Sequence, residues 1–137
     1  MDLGHWTLIK DVEMKEDTFG FIYKIVNTVN KKSYIGKKQC IFALKRKPLK
    51  GKKRCRRDVK ESNWKSYTGS CKKLNEDIKN LGKDKFLFFI IKACCSKSQL
   101  MYEEAKMLFD LNVLFTDEYY NDNIHCRLHR VKIDSGQ

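Results

Sequence analysis

A single proline, Pro48, occurs in 137 residues, and no apolar run is long enough to cross a bilayer. The longest, Phe86 to Ile91, has the size of a strand and falls far short of the roughly 18–20 residues a spanning helix needs. The N-terminus, Met1-Asp2-Leu3-Gly4-His5, lacks the basic and apolar regions of an export signal. A cytoplasmic setting is therefore expected, in which the six cysteines, Cys40, Cys55, Cys71, Cys94, Cys95 and Cys126, are free thiols. Zinc is not expected: His125-Cys126-Arg127-Leu128-His129 holds three possible ligands, but no CxxC pair accompanies it. Internal repeats, glycine–serine linkers and coiled-coil heptads are missing too, which leaves one domain. Acidic residues are scarce, 17 against 29 lysines and arginines, for a net charge of +12. That imbalance favours a polyanionic partner, nucleic acid or an anionic membrane face.

Hydrophobic residues at 42% and aromatics at 12% are enough for a core, while 34% charged residues leave a very polar surface. Residues 1–17 are weakly patterned and read as an N-terminal extension or edge element. Phe19 to Val26 is aromatic or β-branched and reads as a strand, with Ser33 to Gly36 as a second. Between them Asn27 to Lys32 is polar enough to turn the chain. With an even-numbered loop, Tyr23 and Tyr34 project from the same face of the hairpin, because side chains alternate along each strand. Gln39 to Leu44 reads as the start of a helix, which Pro48 would break. Lys45 to Lys60 carries ten lysines or arginines in sixteen residues against one acid, Asp58, and reads as a loop or loosely ordered arm.

Leu74, Ile78 and Leu81 have helical spacing, and Gly82 is a fitting stop. Phe86 to Cys94 reads as a central strand. Ser96-Lys97-Ser98-Gln99 has the form of a capping box that opens a helix to about Asp110. On that helix Leu100, Met101, Ala105, Met107, Leu108 and Leu111 form an apolar arc, with Glu103, Lys106 and Asp110 opposite. Glu104 falls inside the apolar arc, where a charge is costly unless it is paired or bound to a metal. A lysine partner at the core edge and a metal-ligand role both fit this position. Tyr119 to Asn123 is a polar turn, followed by a basic tail.

In this order Gly20-Phe21-Ile22-Tyr23, Tyr34-Ile35-Gly36, the basic region, the inward Glu104 and Tyr120-Asn121 resemble the GIY-YIG nuclease family, named after its two half-motifs. The first half is one residue longer than the family spelling, and the second matches outright, with Lys37 following where many members carry a lysine. The resemblance runs from about Phe19 to Asn123 and implies an α+β fold, a three-stranded antiparallel sheet flanked by helices, here with a basic insertion at 45–60. The nuclease domain is expected over 18–127, with a tail at 128–137. The resemblance also implies metal-dependent hydrolysis of DNA phosphodiesters, in which Tyr23 and Tyr34 are the paired tyrosines. Glu104 would then bind one divalent cation, usually Mg²⁺ with Mn²⁺ as a substitute, and Asn121 would complete the site. The family arginine is absent from the usual neighbourhood, where Ala43 and Leu44 stand; Arg46 is nearest, with Lys45, Arg54, Arg56 and Arg57 as alternatives. On the same resemblance Tyr67 takes the place of a further histidine or tyrosine of the family.

The residues themselves suit this chemistry. Arginine offers a fork to phosphate oxygens, and a carboxylate suits a hard cation. A tyrosine acting as base needs nearby positive charge, which Lys37, Lys38 and a metal would supply. Lys38, Lys45, Lys47, Lys50, Lys52, Lys53, Arg54, Arg56 and Arg57 are expected to hold duplex DNA through its phosphates. The expected activity is that of a small free-standing endonuclease of the kind found in bacteriophages and mobile elements. The alternatives are a catalytically inactive DNA-binding module on the same scaffold and, further off, an RNA- or ribosome-associated protein.

Overall fold

The computed structural model describes residues 1–46, 48–51 and 56–124, with the backbone alone at 44–46 and 56–58. In chain order the described elements are β1 (Thr7–Leu8), β2 (Gly20–Asn27), β3 (Ser33–Gln39), β4 (Ile41–Arg46), β5 (Arg56–Glu61), α1 (Lys72–Leu81), β6 (Phe86–Cys94) and α2 (Lys97–Asp110). Short 3-10 turns occupy Trp64–Ser66, Lys83–Lys85 and Val113–Phe115.

Four strands form one sheet in the order β1-β6-β2-β3. β2 runs antiparallel to both β3 and β6, which gives the three-stranded antiparallel core, and the two residues of β1 add to β6 in parallel. α2 covers one face over Ile22, Ile35, Cys94, Leu100 and Leu108. α1, the N-terminal segment and the Trp64 turn cover the other, over Phe21, Tyr23, Ile25, Leu74, Phe88 and Ile90. The mixed α/β architecture agrees with the sequence reading. β2 is buried along nearly its whole length, as its unbroken apolar and aromatic run requires. β6 lies inside the sheet, yet Leu87 is 46% exposed because α2 lies chiefly over β2 and β3.

The first seventeen residues contribute to the core. Trp6 is buried and donates from Nε1 to the Trp64 carbonyl at 2.6 Å, and Met14 joins the same cluster. The β2–β3 hairpin pairs Val26 with Ser33, Ile25 with Tyr34 and Tyr23 with Gly36, the register of an even loop, and Lys31 turns the chain at φ 65°. In α2, Ser96 Oγ accepts from the Gln99 N–H at 3.1 Å. Gln99 Oε1 reaches back to the Cys95 N–H at 2.9 Å, one residue earlier than a standard capping box would place it. Gly82 ends α1 at φ 96°.

Two local expectations are corrected. Gln39 to Leu44 is not the start of a helix: β3 extends to Gln39, and Ile41 opens a new strand. Much of the basic run is not a loose loop either, since β4 and β5 pair as a separate two-stranded antiparallel ribbon. The ladder forms because its root is pinned to the sheet. Cys40 donates its N–H to the Phe19 carbonyl at 2.7 Å, and Ser62 donates its N–H to the Cys40 carbonyl at 2.8 Å. The Ser62 hydroxyl also donates to the Gln39 carbonyl at 2.6 Å. These bonds hold the two strands in register against their own charge.

Candidate active site

β3 is the edge strand of the sheet, and the principal cleft, about 910 Å³, wraps around that edge. Strand alternation sends Tyr34 to the α1 face and Lys37 to the α2 face. Tyr23 and Tyr34 meet with ring centroids 6.0 Å apart, as the hairpin register demands. Both line the cleft, but unequally: Tyr23 is 1% exposed, whereas Tyr34 is half-buried. Burial pushes the Tyr23 phenol well above its ordinary pKa, reinforced by Tyr34, Tyr67 and the Glu104 carboxylate. Burial raises Tyr34 as well, with Cys71, Glu104 and Tyr67 adding to it and the Ser70 hydroxyl working the other way. At neutral pH both are protonated phenols in the free protein.

On the other side of the edge Glu104 reaches out of α2 to Lys37, with Oε1 and Nζ 3.2 Å apart. The Glu104 side chain is 15% exposed and faces the cleft, and of the two readings of its inward position the lysine pairing is the one observed. It is paired with a lysine, and it presents a carboxylate to the site. Its second oxygen has no partner among the described residues. One carboxylate with open space around it fits a hard divalent cation, which takes its remaining ligands from water and phosphate.

Asn121 holds β3 in place. Its Oδ1 accepts from the Ile35 N–H at 3.0 Å and its Nδ2 donates to the Ile35 carbonyl at 2.8 Å, so both ends of the amide grip one residue of the second half-motif. Just before it, the Tyr120 hydroxyl donates to Asp77 Oδ2 at 2.6 Å and accepts from Asn27 Nδ2 at 2.9 Å, which ties the late segment to α1 and the hairpin turn. Tyr67 packs 6.1 Å from Tyr23, with Lys38 Nζ 4.1 Å above its ring. Lys38 is thus drawn onto the aromatic cluster and is partly desolvated, which lowers its pKa.

A family profile described as "Putative endonuclease segE, GIY-YIG domain" matches residues 6–124. The chain belongs to the GIY-YIG family. Comparison with curated proteins and with solved structures gives no match. Membership in the GIY-YIG family carries a nuclease-type function with DNA as the substrate class.

Of the sequence-derived GIY-YIG site residues, the structure brings Tyr23, Tyr34, Lys37, Glu104 and Asn121 to one cleft. Tyr67 stands behind Tyr23. Arg46 lies at the outer end of β4 in the ribbon, with Lys45 beside it and Arg56 and Arg57 on β5. Lys50 is exposed, and Lys47, Lys52, Lys53 and Arg54 lie outside the described residues, as does His125 to His129. Every arginine side chain lies outside the described residues. Among the described residues the cations that line the cleft are Lys37 and two that sequence reading missed, Lys72 and Lys73, at the start of α1. They read as ordinary surface lysines of an amphipathic helix, and only the sheet edge they face gives them a place. Asn75 was equally silent: it accepts from the Thr68 hydroxyl and donates to the Gly69 and Cys71 carbonyls, fixing the loop that carries Ser70 beside Tyr34.

Proposed function

We propose that this GIY-YIG protein is a divalent-metal-dependent DNA endonuclease that hydrolyses phosphodiester bonds in the cleft along β3. The observation that carries the reading is the meeting of Tyr34 with the Lys37–Glu104 pair around the open edge of one strand. A divalent cation held by Glu104, Mg²⁺ with Mn²⁺ as a substitute, would polarise a phosphate oxygen and supply the positive charge that a raised tyrosine pKa calls for. Tyr34, the more accessible phenol, orients the attacking water through Oη. Tyr23, buried behind it, fixes the Tyr34 ring. Lys37 shields Glu104 in the free protein and turns to a phosphate oxygen when DNA enters. Asn121 keeps Ile35, and with it the backbone between Tyr34 and Lys37, in position. Arg46 and the other cations of residues 45–57, with Lys38, hold the substrate through its phosphates.

The setting we propose is the cytoplasm of a bacterial host, for a phage or mobile-element enzyme. Among the described residues no helix is long and apolar enough to cross a membrane. The test is nicking or linearisation of supercoiled plasmid. Cleavage should require Mg²⁺ or Mn²⁺, stop on chelation, and fall by at least 10²-fold, roughly the loss of one key charge-stabilising group, in Glu104→Ala, while DNA binding persists. The atypical arginine spacing of the sequence, with Ala43 and Leu44 in the usual neighbourhood, favours one competing reading, an inactive DNA-binding module. Binding without cleavage by wild-type protein in both metals would establish that reading instead.

A further inference from the structure

The register of the ribbon places residues of like charge opposite one another. Its register sets Lys45 opposite Arg57 and Arg46 opposite Arg56, two successive like-charge pairs at the outer end of the ladder. Directly opposed positions of an antiparallel pair are the closest in a sheet, and like charges there are destabilising. A two-stranded ribbon standing alone is also marginal in water. Here it packs extensively on no other described element, and it is held at its root by the Cys40, Ser62 and Gln39 bonds. Both of its faces are open: Phe42 is 41% and Val59 61% exposed, and they stand on opposite sides of the ribbon. An arrangement of this kind suits an anion that can surround the ribbon, meeting both faces and both strands together.

Building on the nuclease reading, we infer that the β4–β5 ribbon, with lysine or arginine at the facing positions 45–57 and 46–56, lies in the major groove of B-form duplex DNA between the two rows of phosphates that flank it. The major groove, about 12 Å wide, admits a two-stranded ribbon, and its walls are two rows of phosphates. Six residues at about 3.4 Å each give the ribbon roughly 20 Å, enough to pass from rim to floor and along several base pairs. The same geometry disfavours RNA duplexes, whose major groove is too deep and narrow for side chains to read. It also separates two tasks that the basic run could have combined: the cleft along β3 takes the scissile phosphate, and the ribbon selects duplex form.

Dimethyl sulfate footprinting of the full chain on a duplex, in chelator so that nothing is cut, reads both grooves with one reagent: guanine N7 reports the major groove and adenine N3 the minor. The wild-type protein should protect N7 over several base pairs. Lys45→Gln/Arg57→Gln, which leaves Arg46 in place, should lose that protection and lower the slope of log K against log salt by about 1.8, near 0.9 for each phosphate contact removed. Because the substitutions relieve repulsion, the free variant should melt no lower than its parent. Protection confined to adenine N3, N7 protection that survives in the variant, or equal affinity for an RNA duplex would overturn the inference. Plasmid cleavage by the wild-type protein, followed in parallel, keeps the nuclease reading separate. A cleaving enzyme with no N7 footprint removes the ribbon inference alone, and an N7 footprint without cleavage removes the nuclease reading alone.

Discussion

Gly36 has no side chain in the space that the Tyr23 phenol needs. An added Cβ would collide with the Tyr23 Oη and Cζ and stand 3.0 Å from Tyr34 Cε1. Tyr23 is fully packed and has nowhere to go, so Gly36→Ala should cost about 1–3 kcal/mol in a urea titration, as overpacking does. Plasmid cleavage should fall further than this loss accounts for, because both phenols move. His5 offers a separate test. Its ring stacks on Phe88 at 4.0 Å, both its nitrogens are buried, and burial together with the Lys83 charge outweighs the opposing Tyr67 backbone and lowers its pKa from 6.5 to about 4. The fold favours the neutral ring, so the unfolded chain binds the extra proton between pH 6.5 and 4. Stability contributed by His5 is therefore complete above pH 6.5, declines as the pH falls through that window, and changes no further below it. Urea midpoints of His5→Phe should show a flatter decline over the same range; an unchanged slope would rule His5 out as its source.

At the scale of elements, what could be read in advance was what local rules determine. The shared face of Tyr23 and Tyr34 follows from alternation and loop parity, and the inward Glu104 follows from helical periodicity on the residues around it. The cap of α2 was visible as well, and Ser96→Ala should cost about 1 kcal/mol in denaturant unfolding. What could not be read depends on partners distant in sequence. The ribbon looked like a loose arm because its charge is local, whereas the bonds at its root come from Phe19 and Ser62. Lys72 and Lys73 gained a place only when α1 was set beside β3. Glu104 stayed ambiguous for a related reason: which lysine would meet it depended on how α2 crosses β3.

For the molecule as a whole, the sheet is closed at opposite ends of the chain by segments whose sequences are weakly patterned. Trp6 meets Phe21 and Tyr23 at 5.2 Å each and Phe88 at 5.7 Å, joining the N-terminal segment to the strands that carry the first half-motif. Trp6→Ala should lower the unfolding free energy by about 3–5 kcal/mol, within one cooperative transition; a loss below 1 kcal/mol would show the segment to be dispensable. The other closure lies beyond α2, where the Glu118 carbonyl accepts from Ser33 N–H, Tyr120 N–H donates to the Ser33 carbonyl, and the Asn121 amide grips Ile35. This order along the chain has a temporal meaning during synthesis. The strand bearing Tyr34 and Lys37 leaves the ribosome early, whereas its fastening arrives some eighty residues later. A nascent or prematurely terminated chain that stops short of Tyr119 carries both tyrosines and Glu104 but no brace for β3, so the protein acquires a finished cleft only after the segment through Asn121 has been made.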